Sequence, residues 1–361
     1  MHRRIALGAL LAGWAALLIA VVPTVFGAGS SQAADSQRSR ADAAGAGAEI
    51  SIAWAGDITP GSSYGLPPED GRGLFQEVRP EVAGADLAIG NLEGTFSVGG
   101  VSKCGVDGGN CFSFQAPPQY ASALSWAGFD TMNLANNHAF DYGEEGQRQT
   151  VAALGTNGLA HTGQPGQITV IRRRGIRIAT VGFAPYPWAN DLRDLAAVDE
   201  LVRRASTEAE LVVVLAHLGA EGADQLHTPA GPEVAMGEDR GDTRAFARTA
   251  VEAGADLVLG SGPHVLRGIE LHKGKLIAYS LGNFAGWHNF STAGTTSLSG
   301  LLTVRLSPDG YLRGGRFAGL RLSSDGVPEA DTTGEAVALV NELGREDFGG
   351  RALRLLANGS F

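Results

Sequence analysis

The chain is poor in cysteine, with two among 361 residues, which excludes a disulfide-dense scaffold and the four-thiolate zinc modules. Positive charge is also scarce, with 28 Lys and Arg against 38 Asp and Glu. The first 48 residues hold four Arg and two Asp, so residues 49–361 carry 24 basic and 36 acidic side chains. Nucleic acid is therefore not an expected partner, and no general field would hold a polyanion. The body lacks a Walker A spacing and a Gly-x-Gly-x-x-Gly turn, which disfavours nucleotide-dependent kinase and dehydrogenase chemistry. Gly61-Ser62-Ser63-Tyr64-Gly65 fits the Gly-x-Ser-x-Gly pattern, but it lies in a Gly/Pro-rich loop and not in a strand-to-helix elbow.

One long uncharged run is present, at the N-terminus. Arg3 and Arg4 precede Ile5–Phe26, 22 residues or ~33 Å as a helix against a hydrocarbon core of ~30 Å. It reads as a retained anchor. Ser31-Gln32-Ala33 leaves a cleaved signal peptide as the alternative. Either way the positive flank stays inside and the rest is expected outside the cytoplasm, tethered or secreted. Residues 28–48, rich in Ala, Gly, Ser and Gln, read as a flexible linker. Outside the cytoplasm Cys104 and Cys111, with six residues between them, favour a small disulfide loop over a two-Cys metal site.

The body repeats one theme. Ala83-Gly84-Ala85-Asp86, Ala127-Gly128-Phe129-Asp130 and Ala253-Gly254-Ala255-Asp256 each precede a short apolar run, as at a helix end, a glycine cap and a strand. Ile50–Ala55 and Leu211–Ala216 are continuous apolar runs of the kind buried on both faces. Amphipathic segments at Tyr120–Ala127 and Arg244–Ala253 lie between such runs. The fold class is α/β with a largely parallel sheet, flanked by helices. Hairpins are expected at Thr169–Phe183 and Gly268–Ser280, further strands from Ser299 to Leu322, and a helix near Glu335–Glu346.

Counting from the acidic residue that opens a run to the next metal-competent side chain gives nearly one number. Glu49 to Asp57 is 8, Asp86 to Glu93 is 7, Asp130 to Asn137 is 7, Glu210 to His217 is 7, and Asp256 to His264 is 8. Parallel strands of equal length would bring Asp57, Glu93, Asn137, His138, His217 and His264 to one sheet edge, where α/β sheets bind ligands. The donors are carboxylates, an amide and imidazoles with no thiolate, a set suited to Mn²⁺, Zn²⁺ or Fe. A divalent ion there would activate water and neutralise charge on a phosphoryl or carbonyl oxygen. An imidazole off the metal could protonate a leaving group. Arg267, three residues past His264, is the arginine expected to meet an anionic substrate. His161 and Trp188 are expected to line the cleft, and His227, His272 and His288 to be structural or solvent-exposed.

Six stretches carry a resemblance: Gly56-Asp57-Ile58-Thr59-Pro60-Gly61, Gly90-Asn91-Leu92-Glu93-Gly94, Leu134 to Gly143 with Asn136-Asn137-His138, Ala216-His217-Leu218-Gly219-Ala220-Glu221, Asp256 with Pro263-His264-Val265, and Tyr279-Ser280-Leu281-Gly282-Asn283-Phe284. In that order, over roughly residues 50–285, they resemble the CapA family, poly-γ-glutamate capsule synthesis proteins with a calcineurin-like metallophosphatase fold. The resemblance implies metal ligands Asp57, Glu93, Asn137, His217 and His264. It makes His138 the catalytic acid or phosphate contact. From their positions along the chain, Asp141, counted with His138 as catalytic, and Asn283 are expected to fix the orientation of ligating side chains, and Arg267, Asn283 and His161 are the expected substrate contacts. Thr59 and Gly262 stand where the wider superfamily has imidazoles. Their loss leaves Asp57, Glu93 and His264 for one ion and Glu93, Asn137 and His217 for another, so one or two ions are expected.

The implied organisation is a signal segment at 1–27, the linker 28–48, a metallophosphatase-like domain at 49–322 and a helical extension at 323–361. The implied activity is a membrane-tethered extracytoplasmic hydrolase or transferase acting on a cell-envelope polymer such as poly-γ-glutamate, or on a phosphoester. Its partners would be other capsule synthesis and export proteins. The alternative is a non-catalytic assembly or export subunit of the capsule machinery.

Overall fold

Alternation along the strands explains how the layers form. In the strand Ile50–Thr59, Ile50, Ile52 and Trp54 enter one buried cluster, while Ala53 and Ala55 enter another. In the strand Leu211–His217, Leu211, Val213 and Leu215 join the first cluster, while Val212, Val214 and Ala216 join a third. Successive side chains point to opposite faces of a strand. Large aliphatics therefore meet between two sheets, and the outer faces are covered by helices. The structure, a computed structural model, describes residues 49–62, 64–105 and 111–361. The apolar run 5–26, the linker 28–48 and Ser63 lie outside the described residues. No helix among the described residues is long and apolar enough to cross a membrane.

The layered α/β architecture expected from the sequence is the one observed. The first sheet runs Pro328–Ala330, Leu312–Leu322, Leu298–Leu306, Ile50–Thr59, Leu87–Leu92, Thr131–Asn133, Ala160–Thr162, with Asn283–Gly286 pairing parallel to the end of Ile50–Thr59. The second runs Ile269–His272, Lys275–Ala278, Leu257–Ser261, Leu211–His217, Ile176–Phe183, Thr169–Arg173. The two expected hairpins are the antiparallel pairs at the ends of this second sheet. Across the sandwich Trp54 Nε1 donates to the carbonyl of Gly260 at 3.1 Å.

One expectation is corrected. The ligand-bearing strands do not share a single sheet edge: those preceding Asp57, Glu93 and Asn137 belong to the first sheet, and those preceding His217 and His264 to the second. Both sheets present their parallel strands' carboxyl ends to one side, so the residues still converge.

Acidic residues set the register between neighbouring strands. The carboxylates of Asp86, Asp130, Asp256 and Glu210 accept the backbone N–H of Ser51, Ala88, Val212 and Arg177 at 2.8–2.9 Å. Each carboxylate satisfies an amide at the start of the adjacent strand. Two of the three glycine joints are left-handed, Gly128 at φ 104° and Gly254 at φ 118°, whereas Gly84 stays right-handed at φ −78° after a five-residue helix. Asp194 and Asp242 cap the helices Leu195–Glu208 and Thr243–Ala253 by accepting from Ala197 and Ala245 N–H. Residues 323–361 contribute the helix Glu335–Phe348, and Val340, Leu353 and Leu355 from this segment bury in the central cluster.

Candidate metal and acid–base site

Asp57 is fully buried near the end of its strand. Its Oδ1 accepts from Asn91 Nδ2 at 2.8 Å, and its Oδ2 lies 3.3 Å from the Gly262 amide and 3.2 Å from His264 Nδ1. Glu93, just past the neighbouring strand, is equally buried. Its Oε1 lies 3.4 Å from His217 Nε2. Donor atoms of Asp57, Glu93 and His217 lie within 4.8 Å of one another. This trio cuts across the two ligand sets expected from the sequence, taking one imidazole and both carboxylates.

The electrostatics of the polypeptide alone are unbalanced. Burial, and then the charge of Asp57, push the Glu93 carboxyl well above its ordinary range. Burial also opposes the charge of Asp57, but the hydrogen bond and charge of His264 hold its carboxyl below the usual value. Burial pushes His217 down to about 3 against the pull of Asp57. At His264 burial is outweighed by Glu93, Asp57 and Glu221, and the imidazole is raised well above its usual value.

Hydrogen bonding gives a test of fit for a cation. Among the described residues Glu93 Oε1 and Oε2, Asn137 Oδ1 and His217 Nε2 are buried without a hydrogen-bond partner. Buried polar atoms are normally satisfied, and four unsatisfied O and N donors gathered from the ends of the two sheets match what a divalent ion takes. Around them the supports are complete. Asn91 Nδ2 lies 3.3 Å from His217 Nδ1, Asn91 Oδ1 accepts from Asn133 and Asn136, and Asn283 Oδ1 lies 2.7 Å from His264 Nδ1. Outer partners of this kind fix the orientation of ligating side chains.

A second group adjoins the first. His138 Nδ1 lies 2.9 Å from Asp141 Oδ2, and Lys103 Nζ lies 2.7 Å from Asp141 Oδ1 and donates to the carbonyl of Asn137 at 3.0 Å. Asp141 also accepts the Phe114 amide, and the Phe114 ring packs on His138 at 4.5 Å between centroids. Burial lowers the His138 imidazole more than Asp141 raises it. Cys104 and Cys111 are joined in a disulfide, and Lys103, Cys111, Phe112 and Phe114 from this region line a cavity of about 660 Å³. Asn137, His138, His264, Asn283, Trp188 and Arg240 line the same cavity.

Two expected substrate contacts are not placed to touch a ligand. Arg267 is fully buried, and all three of its side-chain nitrogens are engaged: Nε by the carbonyl of Gln225, Nη1 by Glu233, and Nη2 by Glu233 and the carbonyl of Ala220. It anchors chain. His161 sits in the edge strand Ala160–Thr162 and does not line the cavity; its carbonyl accepts from Gln167 and Thr169. Asn283 does line the cavity, but its carbonyl oxygen is directed to His264. The sequence reading missed Lys103 and Arg240 and gave no role to Asn91 and Asn136, although a buried asparagine inside an apolar run is a signal in itself.

The two departures, Gly262 and Thr59, are both built into the structure. Gly262 has φ +112°, and a Cβ there would lie 2.8 Å from the carbonyl oxygen of Leu218. Thr59 is buried, with its hydroxyl accepting from Asn289 Nδ2 at 2.7 Å.

Residues 51–286 match the family described as the bacterial capsule synthesis protein PGA_cap. The chain belongs to this family. PGA_cap relatives include the PGA biosynthesis protein CapA of Bacillus subtilis (strain 168), 29% identical over 260 residues, which are 66% of this chain and 64% of that protein. The capsule biosynthesis protein CapA of Bacillus anthracis is 29% identical over 237 residues, 59% of this chain and 54% of that protein. The chain thus matches less than two thirds of the length of either relative. Among solved structures, the 5′-nucleotidase precursor of Thermus thermophilus aligns with 82% of this chain and 59% of its own at a TM-score of 0.42 and 15% identity.

Proposed function

We propose that this PGA_cap protein is a membrane-tethered, extracytoplasmic hydrolase or transferase of capsule polymer biosynthesis. Its substrate is a cell-envelope polymer such as poly-γ-glutamate, or a phosphoester. The observation that carries the reading is the set of four partnerless buried atoms on Glu93, Asn137 and His217 beside Asp57 and His264. These five residues would hold one or two ions of Mn²⁺, Zn²⁺ or Fe. Such an ion supplies Lewis acidity and lowers the pKa of water.

The chain's own groups do the rest. Asp141 fixes the ring of His138 through Nδ1, leaving Nε2 as the atom where a proton passes to or from the reacting group. Lys103 offsets the charge of Asp141 and ties it to the Asn137 carbonyl. Phe112, Phe114 and Phe290 give the cavity an apolar wall beside His138.

The test is metal content by mass spectrometry on the full chain in detergent, purified without a chelating tag, beside His217→Ala and His264→Ala. About one or two equivalents in the wild type, lost in the variants, and cleavage of γ-glutamyl oligomers or phosphoesters are expected. A folded wild type that takes up no Mn²⁺, Zn²⁺ or Fe would overturn the reading in favour of a non-catalytic assembly or export subunit working with capsule synthesis partners.

A further inference from the structure

Arg240 is a second buried arginine, and unlike Arg267 it is not saturated. It is 2% exposed, on the strand Glu238–Gly241 that pairs with Glu233–Ala235 in a hairpin at the cavity. Its Nη2 lies 3.2 Å from Glu238 Oε2 and 3.5 Å from Glu221 Oε1, whereas Nε and Nη1 have no acceptor among the described residues. A guanidinium presents its N–H groups in a fixed fork suited to an oxyanion, and leaving buried donors unmatched is costly. The group is also held still. Its carbon lies 5.8 Å from the centroid of the Tyr186 ring, Tyr186 stacks on Trp188, and Trp188 stacks on Phe140. The Tyr186 hydroxyl donates to Glu238 at 3.0 Å.

We infer that Arg240 is a specificity-determining residue that recognises a carboxylate of the substrate beside the site of Glu93 and His138. The inference rests on the function proposed above and adds which group of the substrate is read and by what. The hairpin is fastened from below, because Glu233 at its start is the partner of Arg267. The wall of the cavity that Arg240 and His138 share includes Phe112, Phe114, Met236 and Phe290. Such a wall suits a ligand whose charged groups are separated by methylenes, as in a γ-linked glutamyl chain, better than one bearing charge throughout. Glu238 competes for the same guanidinium, and with its side chain 53% exposed it is the partner a substrate carboxylate can displace.

The experiment is calorimetric titration of the full chain in detergent with penta-γ-glutamate and with the same peptide methyl-esterified at its α-carboxylates. The wild type is expected to prefer the acid form by about ten- to a hundredfold, the range for a hydrogen bond to a charged group. R240Q, shown folded by its thermal transition, is expected to lose that preference. E238Q removes the charge of a half-exposed competitor while leaving an acceptor for the Tyr186 hydroxyl, and it is expected to tighten the acid form several-fold. An R240Q protein with the wild-type preference, an E238Q protein with unchanged affinity, or a wild type that does not discriminate would each overturn the inference. Inorganic phosphate competing through Arg240 as well as the acid peptide would overturn the carboxylate assignment. No turnover is needed, so the two readings fail separately. A chain that binds through Arg240 but holds no ion sinks the enzyme alone, and a chain that cleaves while R240Q keeps its preference sinks only the inference.

Discussion

Arg267 Nη2 and Glu233 Oε2 lie 2.7 Å apart with both side chains almost wholly buried. The pair ties the loop after Leu257–Ser261 to the hairpin that carries Arg240. Burial opposes the charge on Glu233, but Arg267 outweighs it and holds the carboxyl below its usual value. Arg267→Ala would strand that carboxylate and is expected to lower stability by about 3–5 kcal/mol. Urea denaturation measures this, and an Arg267→Met, Glu233→Leu double variant should recover most of the loss.

Asn91 is fully buried, and it bridges Asp57 and His217 from the two sheets. Asn91→Ala should weaken divalent-ion affinity by about ten- to a hundredfold through misdirected ligands. Competition against a chromogenic chelator reads this directly. Unchanged affinity would mean that the ligands are held by packing alone.

Asp141→Asn keeps the size of the side chain but removes the charge that orients His138 and binds Lys103. Turnover of a γ-glutamyl or phosphoester substrate should fall by about 10²–10⁴ while the metal-to-protein ratio stays at the wild-type value. Loss of the ion along with activity would place Asp141 in the ligand set instead.

Placing an imidazole at Gly262 should fail. In Gly262→His the new Cβ meets the Leu218 carbonyl at a φ that L side chains rarely adopt. The variant is expected to lose about 1–3 kcal/mol and bind no additional ion. Thermal unfolding and metal analysis on one sample decide both parts.

The spacing of about seven or eight residues from acid to ligand was legible because it has a structural cause. The carboxylates of Asp86, Asp130, Glu210 and Asp256 pin the start of adjacent strands, so equal counts end at one level. Glu49 fits the count without sharing the cause, since it pairs with Arg305. What the spacing could not convey was partition between two sheets, because an apolar run buried on both faces looks alike in either. Arg267 and Arg240 were indistinguishable in kind along the chain. Only the meeting of Glu233, Gln225 and Ala220 around the first, and the lack of acceptors around two nitrogens of the second, separates an anchor from a recognition group. The helix Glu335–Phe348 was legible from its apolar period, but that it closes the central core was not.

Because Asp57, Glu93 and Asn137 hang from one sheet and His217 and His264 from the other, the distance between the sheets is itself a ligand parameter. The contacts of Asp57 with the Gly262 amide, of Asn91 with His217, and of Trp54 with the Gly260 carbonyl clamp that gap. An ion gripped from both sides would act as a rivet, adding RT ln(1 + [L]/Kd) to the cohesion of the sandwich. The coupling runs both ways: a methyl group removed from Ile52 or Leu215, in the core between the sheets, would be felt as a change in how tightly the rivet sits.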